Sequence, residues 1–434
     1  MRALVRLYQA ARGALAGETS SNLFYSIAGN GFQSALGFIS FTVVARALGP
    51  EGFGLFVLAF GAFAAAAQIL DMGLNSAFTR YGAQADSDAD EPGSARLLRA
   101  CLESKLMLYV AGAALGLLLA GPFASTVLKE PKAAALLRWA VAASGVLSLH
   151  YFLLTALQAW QKFKEASLAL AITAVVKLIS AVLLWKAGLL SAGAALAVYM
   201  LSPLAGVFYA LACIPAERIS GVWAARCVSS ETKKLWSFGG WMGVSAACLA
   251  VMGYLDVGTL SRFFGAAEVG LYAAGFRLAS VFRTTVAALA AVFTQRASTF
   301  RDVERLKKYL EKSGFLAAAA AAAMPVLWFA APPLIRGAFG NLYAGSIGIF
   351  QVLGVGMMIA AAATPFTSAF FAWDASRSIA GIALAQLACL AGLLLWLVPG
   401  QASRGAAWAF TLSQGIAFVL TLAVLRFQIR NMAS

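Results

Sequence analysis

Five ionisable side chains interrupt long apolar stretches of this 434-residue sequence: Asp71, Lys177, Asp256, Arg277 and Arg283. No catalytic set accompanies them. The chain has no HExxH, GxSxG or GxxxxGK-Ser/Thr pattern, and His150 is its single histidine. Nucleophilic, zinc-dependent and ATP-hydrolysing chemistry therefore lack their side chains, and the chain does not read as an enzyme. The five cysteines include no CxxC pair and read as small packing residues. No metal or cofactor is expected, and His150 is expected to be a satisfied helix residue. What remains is charge in an apolar medium. Each such group costs from about 2.5 kcal/mol upward unless it faces a wet interior or an opposite charge.

The signs of these charges suggest a ligand. Lys177 lies about 11 residues into its apolar segment and Arg283 about 12, or roughly 16 and 18 Å deep at the helical rise. Three basic groups face two acidic ones, so the interior is expected to be net positive and to suit an anion. Guanidinium donors match phosphate geometry. Arg277 and Arg283 are six positions apart, about 240° around a helix, so they do not share one narrow face. Two other readings stay open. The basic groups can pair internally with Asp71 or Asp256, or Asp71, in the run DMGL, can carry a coupling proton or sodium ion.

These side chains must be positioned by membrane-spanning helices. Only 12% of residues are charged, and most fall between apolar runs; mean hydropathy is +0.81. A crossing helix needs about 20 apolar residues. Spans are expected near 22–44, 55–79, 103–125, 134–160, 166–187, 192–214, 237–260, 271–295, 310–330, 345–371, 376–397 and 405–425. Continuous runs such as Met107 to Ala120 exclude the alternating pattern of a β-barrel. The fold class is thus all-α and polytopic, with about twelve helices. Pro203, Pro325 and Pro365 can bend or break their helices.

The net charge of +15 follows the membrane. Counted on alternate sides of these spans, 22 Lys and Arg fall with the N-terminus and eight opposite. The bias puts both termini in the cytoplasm. Residues 1–21 are then a cytoplasmic segment and 426–434 a cytoplasmic tail. Arg2, Arg6 and Arg12 break up the first segment, which reads as an interfacial helix and not a cleavable signal. No basic soluble domain exists to hold a nucleic acid.

The sequence also repeats. RALGPEGFGLF, from Arg46, aligns with RFFGAAEVGLY, from Arg262, at an offset of 216 positions. Arg46, Gly49 and Gly54 match Arg262, Gly265 and Gly270. Each motif sits in the outer turn between a first and a second span. We expect a lobe over 22–214, a cytoplasmic linker over 215–236 and a second lobe over 237–425. Two lobes of six spans enter the membrane in the same direction, which implies a pseudo-two-fold axis along its normal. The repeated glycines fit turn chemistry, and the arginines can snorkel to outer headgroups. A gate contact between the halves is the alternative reading of the motif.

The stretch VVARALGPEGFGLFVLAFG, followed by LDMGLNSAFTRYGA, resembles the start of bacterial polysaccharide transporters. These are the lipid-linked oligosaccharide flippases of the multidrug/oligosaccharidyl-lipid/polysaccharide superfamily. LLTALQAWQKF, at 153–163, resembles their fourth-span close. The resemblance implies two six-helix lobes in a V around a basic cavity, in the bacterial inner membrane. It implies alternating access that flips a polyprenyl-pyrophosphate-linked oligosaccharide outward, with membrane lipids, a polysaccharide polymerase and glycosyltransferases as partners. A cation-coupled multidrug or metabolite exporter of the same superfamily is the alternative.

Overall fold

The computed structural model describes residues 18–88, 90–224, 229–297, 324–372 and 376–433. Residues 1–17 of the expected interfacial segment and most of the expected ninth span, 310–330, lie outside the described residues.

All regular structure among the described residues is helical. In lipid each crossing segment must satisfy its own backbone hydrogen bonds, which long apolar runs do by coiling. In chain order the helices are α1 (Glu18–Ile69), α2 (Leu74–Ser87), α3 (Glu91–Pro122), α4 (Ala133–Ala159), α5 (Phe163–Lys186) and α6 (Ala192–Cys213). Then come α7 (Ala216–Ala224), α8 (Ser229–Phe264), α9 (Ala266–Ala297), α10 (Met324–Phe339), α11 (Ser346–Ala372) and α12 (Ser376–Ala433). Polar residues set some starts. Asp90 accepts from the Gly93 amide at 2.9 Å to cap α3, and Ser191 accepts from Ala194 at 3.1 Å to cap α6.

Eight helices among the described residues are long and apolar enough to cross a membrane. That count does not establish the expected twelve helices, and two of the eight fold back on themselves. α1 breaks at Gly49, whose φ is 66°. Phe41 then meets Phe56 and Phe60, each at 5.5 Å between ring centres. A straight helix would hold those pairs about 22 and 28 Å apart. α12 breaks at Ala402, φ 49°, and the backbone of Gly405 lies against Leu397 and Val398. The described residues do not define two six-helix lobes.

Two expected boundaries also shift. The second span, expected as continuous over 55–79, is interrupted between α1 and α2, where Met72 and Gly73 take φ of 44° and 75°. Gly73 packs on the backbone of Gly239 and Gly243 in α8, and a side chain at Gly243 would lie 2.6 Å from the Met72 carbonyl. The approach is possible only because these positions are glycines. The expected 215–236 connection is largely helical, being filled by α7 and the first turns of α8.

Helices associate in lipid by close packing of small residues rather than by hydrophobic drive. The interior accordingly holds Ala45, Ala59, Ala124, Ala140, Ala274 and Ala407, all fully buried. α1 is central, packing on α4, α5, α8 and α9. The outward-turned side of α3 presents Leu106, Met107, Val110 and Leu118, as a lipid-facing surface does.

Candidate functional site

Lys177 and Arg277 face each other across an aromatic cluster. Lys177 lies nine residues before the end of α5, about 14 Å from it, and Arg277 about 16 Å from the start of α9. Both helix ends lie on the side of the Gly49 and Gly265 turns, so the two cations sit at similar depth. The Lys177 ammonium stands 4.8 Å from the Tyr199 ring centre. The Arg277 guanidinium stands 4.7 Å from that of Phe41. Phe41 and Tyr199 meet edge to face at 5.4 Å, and the Tyr199 hydroxyl donates to Ser40 at 3.0 Å. Gly37 leaves room for Arg277, since a side chain there would sit 3.0 Å from its terminal nitrogen. The described ion pairs are Lys105–Asp71, Arg96–Glu231, Arg99–Glu103, Lys132–Glu51 and Arg218–Asp86, and none includes Lys177 or Arg277. The buried Nε of Arg277 has no hydrogen-bond partner among the described residues. The side chain of Arg283, the third expected cation, lies outside the described residues.

Two cavities flank the second leg of α1 and share Phe60, Ala64 and Gln68. The larger, about 330 Å³, contains Lys177, Tyr199, Asp71, Asn75 and His150. The other, about 230 Å³, reaches α8 and α9 and contains Arg277, Asp256 and Tyr272. A cation therefore lines each.

The two acids are engaged elsewhere. Asp71 accepts from the Lys105 ammonium at 2.5 Å, and Lys105 reaches Ser148 at 3.5 Å. Asp256 accepts from the Tyr272 hydroxyl at 2.5 Å and from the Val257 amide at 2.7 Å. Among the described ion pairs neither acid meets Lys177 or Arg277. Lys105 was not among the expected deep charges. Its signal was available, because Asp71 and Lys105 lie at similar distances from the turn joining α2 and α3. Adjacent antiparallel segments place such positions side by side. His150 departs from expectation too: it is buried, yet neither ring nitrogen has a partner among the described residues.

The repeated motif pairs with its own copy. Gly49 and Gly265 both take positive φ, 66° and 79°. A side chain on Gly54 would strike the Ala266 carbonyl and come within 3.1 Å of the Gly270 nitrogen; one on Gly270 would strike the Pro50 carbonyl. The arginines of the motif bind backbone carbonyls. Arg46 donates to the Ala338 carbonyl at 2.7 Å and to that of Gly337. Arg262 donates to the Thr126 and Val127 carbonyls at 3.1 and 3.2 Å. Each arginine thus grips the C-terminal end of a helical segment from the other half of the sequence, where free carbonyls concentrate negative charge.

On the opposite side α8 meets α2 and α3. Lys234 lies 4.4 Å from the Tyr81 ring and Arg80 4.7 Å from that of Phe238. Arg96 pairs with Glu231 at 3.4 Å. The Ser230 hydroxyl first, and Arg96 with it, hold the Glu231 carboxyl below its usual range.

The family model described as "Polysaccharide biosynthesis protein" matches residues 20–295. A protein of Shigella flexneri described as "Putative O-antigen transporter" is 26% identical over 433 residues, covering 95% of this chain and 98% of its own. Among solved structures, an inward-facing multidrug resistance transporter of the MATE family and MOP superfamily superposes with a TM-score of 0.76 at 15% identity, covering 92% of this chain and 95% of that one. The lipid II flippase MurJ, in an inward closed conformation, gives 0.74 at 12% identity, covering 93% and 87%. At such identities the structures establish a shared fold.

Proposed function

From the premise that this chain belongs to the polysaccharide biosynthesis protein family and is a polytopic transporter of the MOP superfamily, we propose that it flips a polyprenyl-pyrophosphate-linked saccharide across the bacterial inner membrane. The carrying observation is the pair Lys177 and Arg277, cations of similar depth with no ion-pair partner among the described residues, lining adjoining cavities. A pyrophosphate needs such donors midway across, where water is scarce. The Shigella flexneri relative supports a glycan-related substrate.

In this reading both termini are cytoplasmic, and residues 22–214 and 237–425 act as two lobes. The Arg46, Arg262, Gly54 and Gly270 contacts close the outer side, and the contacts of α8 with α2 and α3 close the cytoplasmic side. Alternating access requires the cytoplasmic set to part for entry while the outer set holds, and the outer set to part for release while the cytoplasmic set holds. An inside-negative potential drives the anionic headgroup outward, at about 2.3 kcal/mol per charge per 100 mV. The finished lipid-linked glycan is then available to a polymerase on the far side.

A second reading is cation-coupled export of a drug or metabolite. It is favoured by the multidrug transporter among the similar folds and by Asp256, a buried carboxylate with no cation among its described partners. One assay separates the two. Proteoliposomes are loaded either with a fluorescent polyprenyl-pyrophosphate sugar or with an organic cation dye, under clamped voltage, proton and sodium gradients. Voltage-driven movement of the lipid alone supports flipping; gradient-driven export of the dye alone supports the second reading.

A further inference from the structure

The 330 Å³ cavity holds hydrogen-bonding capacity that no described protein group uses. His150 is 1% exposed, and both its ring nitrogens lack a partner among the described residues. The buried Oδ1 of Asn75 lacks one among them as well. Both residues line this cavity, together with Gln33, Gln68 and Ser148. The imidazole is held by shape: a side chain on Gly206 would lie 2.8 Å from His150 Nδ1 and would also meet Thr173. The Thr173 hydroxyl is committed to the Ala169 carbonyl at 3.0 Å. Lys105 answers the charge of Asp71, which leaves Lys177 as the uncompensated charge lining this space among the described residues.

A buried imidazole and a buried amide oxygen without partners are costly unless something else meets them. The combination calls for a neutral group rich in hydroxyls beside an anion. An organic cation would be repelled by Lys177, and an apolar ligand would leave the polar atoms unmatched. The volume lies at the low end of the roughly 300–1,000 Å³ typical of small-ligand sites. It suits one ring and not a chain of them. We propose that this cavity is a hydroxyl-recognition subsite that seats the first sugar of the glycan beside Lys177, with His150 and Asn75 as its specificity-determining residues. The inference rests on the lipid-linked saccharide reading above. It adds that the transporter distinguishes a glycosylated carrier from the bare one, because a site built to hydrogen-bond a hydroxyl disfavours the analogue lacking it.

The test compares two probes on the full chain in lipid nanodiscs: polyprenyl pyrophosphate, and the same lipid bearing one N-acetylhexosamine. Wild type is expected to bind the sugar-bearing probe about tenfold more tightly. His150→Phe and Asn75→Ala are each expected to bring that ratio close to one, and His150→Gln to retain part of it. Lys177→Met is expected to weaken both probes. A melting curve on every variant checks folding; should His150→Phe not fold, Asn75→Ala and His150→Gln decide the matter. A wild-type ratio of one, or a full ratio retained in the variants that fold, overturns the subsite while leaving pyrophosphate recognition standing. Wild type that binds neither probe overturns the lipid-linked reading itself, and the subsite with it.

Discussion

Gly54 and Gly270, equivalent positions of a repeat 216 residues apart in the sequence, pack backbone against backbone. Neither tolerates a Cβ without striking a carbonyl of the other motif. A repeat legible as turn chemistry is therefore also a junction between the two halves. We predict that Gly54→Val forces this junction apart, at a cost of about 1–3 kcal/mol for overpacking. A cysteine at Val57 should then react with an external maleimide several times faster than in the parent. Unchanged reactivity in a well-folded variant would remove the junction from the closing mechanism.

Arg46 and Arg262 each hold carbonyls at the far end of a segment from the other half. Charge-assisted bonds of this kind contribute about 1.5–3 kcal/mol each. Arg46→Ala and Arg262→Ala should each broaden the distance distribution between spin labels at Glu51 and Glu268 toward longer separations, and the double variant should do so more. Lysine at position 46 should restore the short distance only in part, since it lacks the fork by which Arg46 spans two carbonyls; lysine at position 262, where one nitrogen serves both carbonyls, should restore more of it. A distribution insensitive to both alanines would contradict the clasp.

The Lys105–Asp71 pair predicts a structural penalty, not a coupling defect. Breaking a buried pair on one side costs about 3–5 kcal/mol. Asp71→Asn and Lys105→Met alone should each lower thermal stability, and Asp71→Leu with Lys105→Met should recover much of it. The voltage dependence of transport should survive in the double variant. Loss of a proton- or sodium-driven response in Asp71→Asn, with normal stability, would instead make Asp71 a coupling residue.

The charge asymmetry predicts topology. Cysteine at Gly93 should be shielded from an impermeant external reagent, and cysteines at Pro50 and Ala267 should react with it. External labelling at position 93 would reverse this topology.

Much of the fold was legible because lipid imposes one rule on every segment: apolar and long enough to coil. The hairpin at Gly49 followed from its glycine, and its equivalence to Gly265 from the repeat. The break at Met72 and Gly73 was not legible. Asp71 reads there as one charge inside a continuing span, and the packing against the break comes from the backbone of Gly239 and Gly243, some 170 positions away. Lys177 and Arg277 stood out as charges in apolar runs, but which acid met which base did not. Lys105 near a span's end looked like an ordinary cytoplasmic lysine until its partner Asp71 was placed on the neighbouring segment. His150 looked like a helix residue because sequence carries no record of a missing hydrogen-bond partner.

The central claim is that Lys177 and Arg277 together carry a crossing pyrophosphate. The most direct measurement is inward-to-outward flux of a labelled polyprenyl-pyrophosphate sugar in proteoliposomes at subsaturating substrate, with voltage clamped. Lys177→Met and Arg277→Met should each reduce flux by at least about tenfold, corresponding to 1.4 kcal/mol or more, at normal membrane abundance. Lys177→Arg and Arg277→Lys should restore part of it. Full flux in both methionine variants, or equal loss in the charge-retaining variants, would contradict the account.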